Sequence, residues 1–257
     1  MKKLENKVAI ITGAGAGLGK AIALLYAKHG AKVVAADINE KGLAELEQEI
    51  TAAGGTVKTI KANMAMPEDV EAMVKAATDN YGTVDILVNN AGVMDDFSPV
   101  ADVSDALWDR VMKINVDGPF RAMRSVLKIM LEKNSGAIVN IASVGGLNGA
   151  RAGAVYTASK HALIGLTKNT GYMYAKLGIR CNAIAPGAMN TTIAATIDFE
   201  HLPAVALVNE RIMPGMALNP RASEPVEVAQ VALFLASDDA SFVNGATIVA
   251  DGGWTAY

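Results

Sequence analysis

The sequence predicts one α/β domain over residues 1–257, a doubly wound sheet of seven parallel strands with helices on both faces. Three observations predict it. Short β-rich apolar runs alternate with longer helical patterns along the whole chain. No internal repeat, low-complexity tract or linker-like break divides them. The residues suited to chemistry stand just after the apolar runs, where an open parallel sheet binds its ligands.

In order, Val8-Ala9-Ile10-Ile11 reads as the first strand. A helical stretch from Leu18 to His29 follows and stops at Gly30, a natural helix end. Lys32 to Ala36 is the second strand, ending in Asp37. Glu40 to Ala53 has helical periodicity and ends at Gly54-Gly55, before a strand at Val57 to Ile60. Pro67 opens a helix with an acidic first turn, running to about Tyr81. Ile86 to Asn89 is the fourth strand, and Ser104 to Lys133 reads as one long helix. Strands at Ala137 to Ala142 and Ile179 to Ala185 flank a helix at Ala154 to Lys176. Pro225 to Ala236 is a helix and Thr247 to Ala250 the last strand. Continuous apolar strands joined by helices mean a sheet covered on both faces.

Bulk properties exclude several classes. Hydrophobic residues are 51% and charged residues 19%, and the formal net charge is −3 with no basic run. Nothing there supports nucleic-acid binding. Cys181 is the lone cysteine, so an intrachain disulfide is impossible, and a buried apolar role suits it. No apolar run reaches the ~18 residues needed to span a membrane. The opening MKKLENKVAII is broken by Glu5 and Lys7 and is too short for a signal peptide. A cytoplasmic protein is expected.

The first strand runs into Thr12-Gly13-Ala14-Gly15-Ala16-Gly17-Leu18-Gly19, and a helix begins at once. Glycines let the backbone approach a pyrophosphate, and the helix N-terminus holds that anion. Asp37, after the second strand, would accept the adenosine ribose hydroxyls and repel a 2′-phosphate. No Lys or Arg stands at 14–16 or 38–39 to hold such a phosphate. Asp37 also suits a plain helix N-cap. A Rossmann-type dinucleotide site is expected, with NAD favoured over NADP.

The spacing Thr12-Gly13-x-x-x-Gly17-x-Gly19 resembles the short-chain dehydrogenase/reductase family, and the rest of the chain matches it in order. Asn89-Asn90-Ala91-Gly92 is similar to the family's NNAG segment, Asn115 to its catalytic Asn and Ser143 to its catalytic Ser. Tyr156-x-x-x-Lys160 matches YxxxK, and Pro186-Gly187 matches its PG turn, with Thr191 placed to contact the nicotinamide amide. Two positions depart: Asn63 stands where Asp commonly contacts the adenine, and Leu18 where Ile is commoner. The resemblance implies catalytic roles for Asn115, Ser143, Tyr156 and Lys160. It implies cofactor contacts at Gly13, Gly15, Gly17, Leu18, Gly19, Asp37, Ile38, Asn63, Met64, Asn89, Ala91, Gly92, Tyr156, Lys160, Pro186, Gly187 and Thr191.

Tyr156 and Lys160 lie four apart, on one helix face. A phenol titrates near 10, and a nearby ammonium lowers that value. Tyr156 is then an acid/base for the substrate oxygen, with Ser143 donating to the same oxygen. Lys160 is expected to hold the nicotinamide ribose hydroxyls, and the resemblance implies that Asn115 holds a water connecting Lys160 to solvent as a proton relay. Serine and tyrosine also serve as turn cap and packing residue, but the ordered set argues otherwise. His29, His161 and His201 are scattered, so no metal site is expected. Asp95-Asp96 and Asp238-Asp239 read as solvent-facing pairs.

Residues 188–222 are the longest stretch without a clear sheet role, and the resemblance implies that this segment is a lid over the substrate; it holds Ile193, Ile197, Phe199, Leu202, Val205, Leu207, Ile212, Met213 and Met216. Such a lid suits a small uncharged carbonyl or alcohol substrate with apolar surface. Asn134 and Tyr172 stand where acyl-carrier reductases of the family show basic residues. The expected function is hydride transfer between NAD(H) and a ketone or secondary alcohol. The alternatives are a 3-oxoacyl thioester reductase, a sugar dehydrogenase and, outside enzymes, a nucleotide-binding sensor or scaffold. The resemblance further implies a homotetramer. Its apolar candidates are Met123, Val126, Leu127, Met130, Leu163, Leu166 and Met173.

Overall fold

A computed structural model describes residues 2–195, 197 and 202–256. Phe199 and His201 lie outside the described residues. Seven parallel strands run in the order β3-β2-β1-β4-β5-β6-β7. They are β1 (Val8–Thr12), β2 (Lys32–Asp37), β3 (Thr56–Lys61), β4 (Ile86–Asn89), β5 (Gly136–Ile141), β6 (Ile179–Pro186) and β7 (Thr247–Ala250). The expected sheet is therefore present, with every strand at its expected place.

The central strands are predominantly apolar because both faces are covered; all five residues of β1 are buried. Ala9 and Ile11 face one layer, with Leu18, Ile22 and Tyr26 of α1 (Gly17–Lys28) and Val228, Ala232 and Leu233 of α9 (Pro225–Ala236). Val8 and Ile10 face the other, with Met73 and Ala77 of α3 (Pro67–Tyr81) and Val126 and Met130 of α5 (Gly118–Lys133). The Tyr26 hydroxyl, buried in the first layer, donates to the carbonyl of Ala232 at 2.7 Å. Gly30 follows α1 with φ +91°, the left-handed turn expected there.

The long helix expected over 104–133 is divided. Its parts are α4 (Asp105–Met112), a π-helical turn at Lys113–Asp117, and α5. Pro119 has no N–H for the carbonyl of Asn115, four residues earlier, so the α ladder cannot run through. The next helix, α6 (Ala154–Tyr174), carries the YxxxK pair. Sheet order reverses between β1 and β4, and a cleft opens beyond their carboxyl ends.

Candidate active site

The cleft measures about 620 Å³ and draws residues from the turns after β1, β2, β3, β4, β5 and β6. At one end lies the glycine turn. Gly13 and Gly17 have φ of +67° and +51°. A Cβ on Gly13 would meet Asn90 Nδ2 at 2.8 Å. Helix α1 has no side-chain cap and no acidic residue in its first turn. Its leading N–H groups and positive dipole face the cleft, a cradle fit for a phosphate anion.

Asp37 braces this turn. Its Oδ2 accepts the Gly15 N–H and its Oδ1 the Asn39 N–H, both at 2.8 Å. The cap of α2 (Glu40–Ala52) is Asn39, whose side chain accepts from Gly42 N–H. Asp37 is therefore not that helix's N-cap; it lines the cleft beside Ile38 and Asn63. The Asn63 Oδ1 accepts from Ala65 N–H at 3.0 Å, so its amide nitrogen is the group left for a ligand.

At the other end Ser143, Tyr156 and Lys160 line the cleft together. Ser143 Oγ also accepts the Gly145 N–H at 3.0 Å, so it caps the turn after β5 as well. Lys160 is 3% exposed, and its Nζ donates to the Ile141 carbonyl at 2.9 Å. That places the ammonium 5.4 Å from the centre of the Tyr156 ring. Burial pushes the tyrosine up to about 12, the Ser143 side chain pulls it back, and the Asp95 charge raises it further. The net shift is upward, opposite to the downward pull expected from the ammonium, and burial is its largest cause. Burial also lowers Lys160 to about 8.

Leu18, Met64, Ala91, Gly92, Pro186, Gly187 and Thr191 also line the cleft. Thr191 comes close to the glycine turn, its Cγ2 3.3 Å from the place of a Cβ on Gly17. Four expected site residues do not line it. Gly15 serves Asp37 through its N–H, and Gly19 packs α1 onto the turn, where a Cβ would lie 2.0 Å from the Gly13 carbonyl. Asn89 donates to Asn140 inside the sheet. The Asn115 amide is spent on the Val93 N–H and carbonyl and on Ser159 Oγ, at 2.9, 2.9 and 3.1 Å. It ties the π turn to the cleft rim.

Several residues went unread in the sequence. Thr12 Oγ1 accepts the N–H groups of Asn90 and Ala91, locking the NNAG segment to β1. Asp95 is a correction: it is 2% exposed rather than solvent-facing, and it accepts three backbone N–H bonds. An adjacent acid pair resembles a solvated face, and only the tertiary fold distinguishes its members. Among the described residues no cluster of three His, Cys, Asp or Glu is placed to hold a metal.

The family model described as "Enoyl-(Acyl carrier protein) reductase" matches residues 13–255. A 3beta-hydroxysteroid dehydrogenase 2 from Eggerthella lenta is 42% identical, over 99% of this chain and 96% of its own. The chain belongs to the short-chain dehydrogenase/reductase family. The crystal structure of a levodione reductase superposes on this dehydrogenase/reductase with a TM-score of 0.89 at 39% identity, covering 99% of this chain and 100% of the other. Another solved relative, described as an NAD(P)-dependent gluconate 5-dehydrogenase from Beutenbergia cavernae with bound NADP, gives 0.86 at 37% identity, covering 99% of each chain. This short-chain dehydrogenase/reductase is an oxidoreductase of alcohols and ketones that works with a nicotinamide dinucleotide. Among its described residues no helix is long and apolar enough to cross a membrane.

Proposed function

We propose that this enzyme interconverts a ketone and a secondary alcohol on an uncharged substrate with extended apolar surface, using NAD(H), with Tyr156 as acid/base. The observation that carries the reading is one cleft joining the glycine turn and Asp37 to Ser143, Tyr156 and Lys160. The dinucleotide supplies the hydride chemistry when bound. The N-terminus of α1 would hold its pyrophosphate, and Asp37 would take the ribose hydroxyls. Asn63 would meet the adenine, Lys160 the second ribose, and Thr191 the carboxamide.

In oxidation, Tyr156 as phenolate takes the hydroxyl proton, and the hydride from the same carbon would pass to the oxidised dinucleotide. In reduction, Tyr156 returns that proton to the carbonyl oxygen. Ser143 donates to the same oxygen and holds its developing charge. A phenol pushed up to about 12 keeps its proton at neutral pH, so reduction starts from the correct form. Asn115 acts by fixing the cleft rim at Val93.

The substrate end is lined by Met94, Phe97, Met189, Ile193, Met213 and Met216. Flexible thioethers with one aromatic ring suit hydrocarbon surface. Segment 188–222 acts as the lid. A parallel bridge, Met189 to Ser223, closes its stem, and Leu202, Val208 and Met213 pack on Phe97. Neither Asn134 nor Tyr172 offers a cation for an acyl carrier. We further propose a cytoplasmic homotetramer. Its support is exposed apolar surface on the helices after β4 and β5: Trp108 and Phe120 at 44%, Met173 at 59% and Tyr172 at 84%. The test is a panel of ketones with NADH and NADPH, read by nicotinamide absorbance. No turnover of any cyclic ketone would contradict the reading.

A further inference from the structure

The loop after β4 brings a buried carboxylate to the start of α6. Gly153, the N-cap of α6, has no side chain to offer, so the helix cannot cap itself. Asp95 does it from 61 residues away: its Oδ2 accepts the Tyr156 N–H at 2.8 Å. Tyr156 is the third residue of α6, the position a capping side chain normally serves. Asp95 Oδ1 takes the N–H groups of Gly153 at 3.0 Å and Phe97 at 3.2 Å. The fit leaves no spare room. A Cβ on Gly153 would fall 2.6 Å from Asp95 Oδ2 and 2.7 Å from the Phe97 carbonyl carbon.

Phe97 is the second half of the joint. It is a non-glycine residue at φ +62°, a conformation L residues rarely adopt. Its side chain is buried against Leu202, Val208 and Met213 of the lid and lines the cleft. Ser98, next in the chain, accepts the Ala154 N–H at 2.9 Å and closes the same junction. One carboxylate therefore meets the helix bearing the acid/base and the wall against which the lid packs.

We propose that Asp95 is a positioning residue of this reaction, fixing the backbone of Tyr156 and the cleft wall at Phe97 in one unit. This rests on the reading of Tyr156 as acid/base. The carboxylate has a second effect, through its charge. The groups that face Tyr156 are Lys160 on its own helix, Ser143 after β5, and Asp95 after β4 with Asp96 behind it. Burial raises the Asp95 carboxyl above its ordinary value, its three N–H donors oppose that shift, and its charge acts on the phenol. A negative neighbour holds the proton on Tyr156, so removing it must ease the proton's loss.

The experiment compares Asp95→Asn, Tyr156→Phe and the unmodified enzyme, using NADH with whichever of cyclohexanone and a 3-ketosteroid turns over faster. Asp95→Asn keeps the shape and removes the charge. Its kcat should fall about tenfold, as expected for loss of charge-assisted bonds at a catalytic residue. NADH binding, followed by fluorescence, should stay within about twofold, since the mutated site is remote from the dinucleotide cradle. The limb of the pH–rate profile set by Tyr156 should move to lower pH by about one unit. A merely structural cap would not move that limb. An Asp95→Asn enzyme with unchanged kcat and pH profile, beside an inactive Tyr156→Phe, would overturn the role of Asp95 alone. Turnover by Tyr156→Phe would instead overturn the reading beneath it. If Asp95→Asn does not fold, Gly153→Ala takes its place, because its Cβ must push the carboxylate off the Tyr156 N–H. That variant should also lose about tenfold in kcat with NADH binding kept, and unmodified kcat would overturn the proposal.

Discussion

Asp37 accepts the backbone N–H of Gly15 at 2.8 Å, so the acid after β2 and the glycine turn after β1 form one rigid unit. The carboxylate is thereby aimed at the adenosine end of the cleft. A 2′-phosphate there would meet it across about 4 Å, which costs about 4 kcal/mol at an effective dielectric near 20. Salt and side-chain movement reduce that, leaving at least about a tenfold preference for NADH over NADPH in kcat/KM. Asp37→Ser should shrink the ratio. Ile38→Arg should reverse it, since Ile38 is 65% exposed and an arginine there has room. A ratio near one for the unmodified enzyme, at fixed ionic strength, would contradict the preference.

Lys160 gives a pH signature of stability. Burial lowers its ammonium to about 8 from an ordinary 10.5. Between those values the unfolded chain holds a proton that the native chain has lost. Native stability of the cofactor-free protein therefore rises as pH climbs from about 8 toward 10.5, by about 3 kcal/mol in all. Lys160→Met should abolish that rise. Thermal melts at pH 7.5 and 9.5 compare the two proteins, and an identical pH response in both would refute the assignment.

The packing of α1 on the glycine turn makes Gly19 intolerant of any side chain. A Cβ would lie 2.0 Å from the Gly13 carbonyl oxygen, and backbone cannot swing aside as a flexible side chain can. Gly19→Ala should cost about 2 kcal/mol or more of stability and weaken NADH binding at least tenfold. Urea melts and fluorescence titration measure both. An Ala variant with unmodified affinity would show that the turn does not hold the dinucleotide.

Assembly rests on exposed side chains rather than those expected from periodicity. Met123, Val126, Leu127, Met130 and Leu163 are buried within the chain's own core, and only Met173 of the expected set is exposed. Helical spacing shows that a face is apolar, but not which layer covers it. The exposed Trp108, Phe120 and Tyr172 now carry the argument. Light scattering at micromolar concentration should give four times the chain mass, and Tyr172→Glu should lower it. A monomer would contradict the tetramer.

The sheet was legible because parallel strands covered on both faces must be largely apolar, as Val8 to Ile11 are. The glycine turn, Asp37, Ser143, Tyr156 and Lys160 were legible because their order and spacing are mechanically demanding. Asp95 was hidden, since a buried acid in an adjacent acidic pair reads in sequence like a solvated one. The division at Pro119 was overridden by an otherwise strong helical period. Tyr156 lies in the cleft with Ser143 and Lys160, but its phenol is raised where the ammonium was expected to lower it, because desolvation depends on burial that spacing does not report.

Tyr156→Phe tests the central claim most directly. The change keeps the ring and removes the proton, leaving Ser143, Lys160 and the dinucleotide cradle in place. With NADH and the best ketone of the panel, kcat should fall at least about 10²-fold, the usual worth of general acid–base catalysis, while NADH affinity stays as it was. Turnover retained by the purified variant would contradict the account.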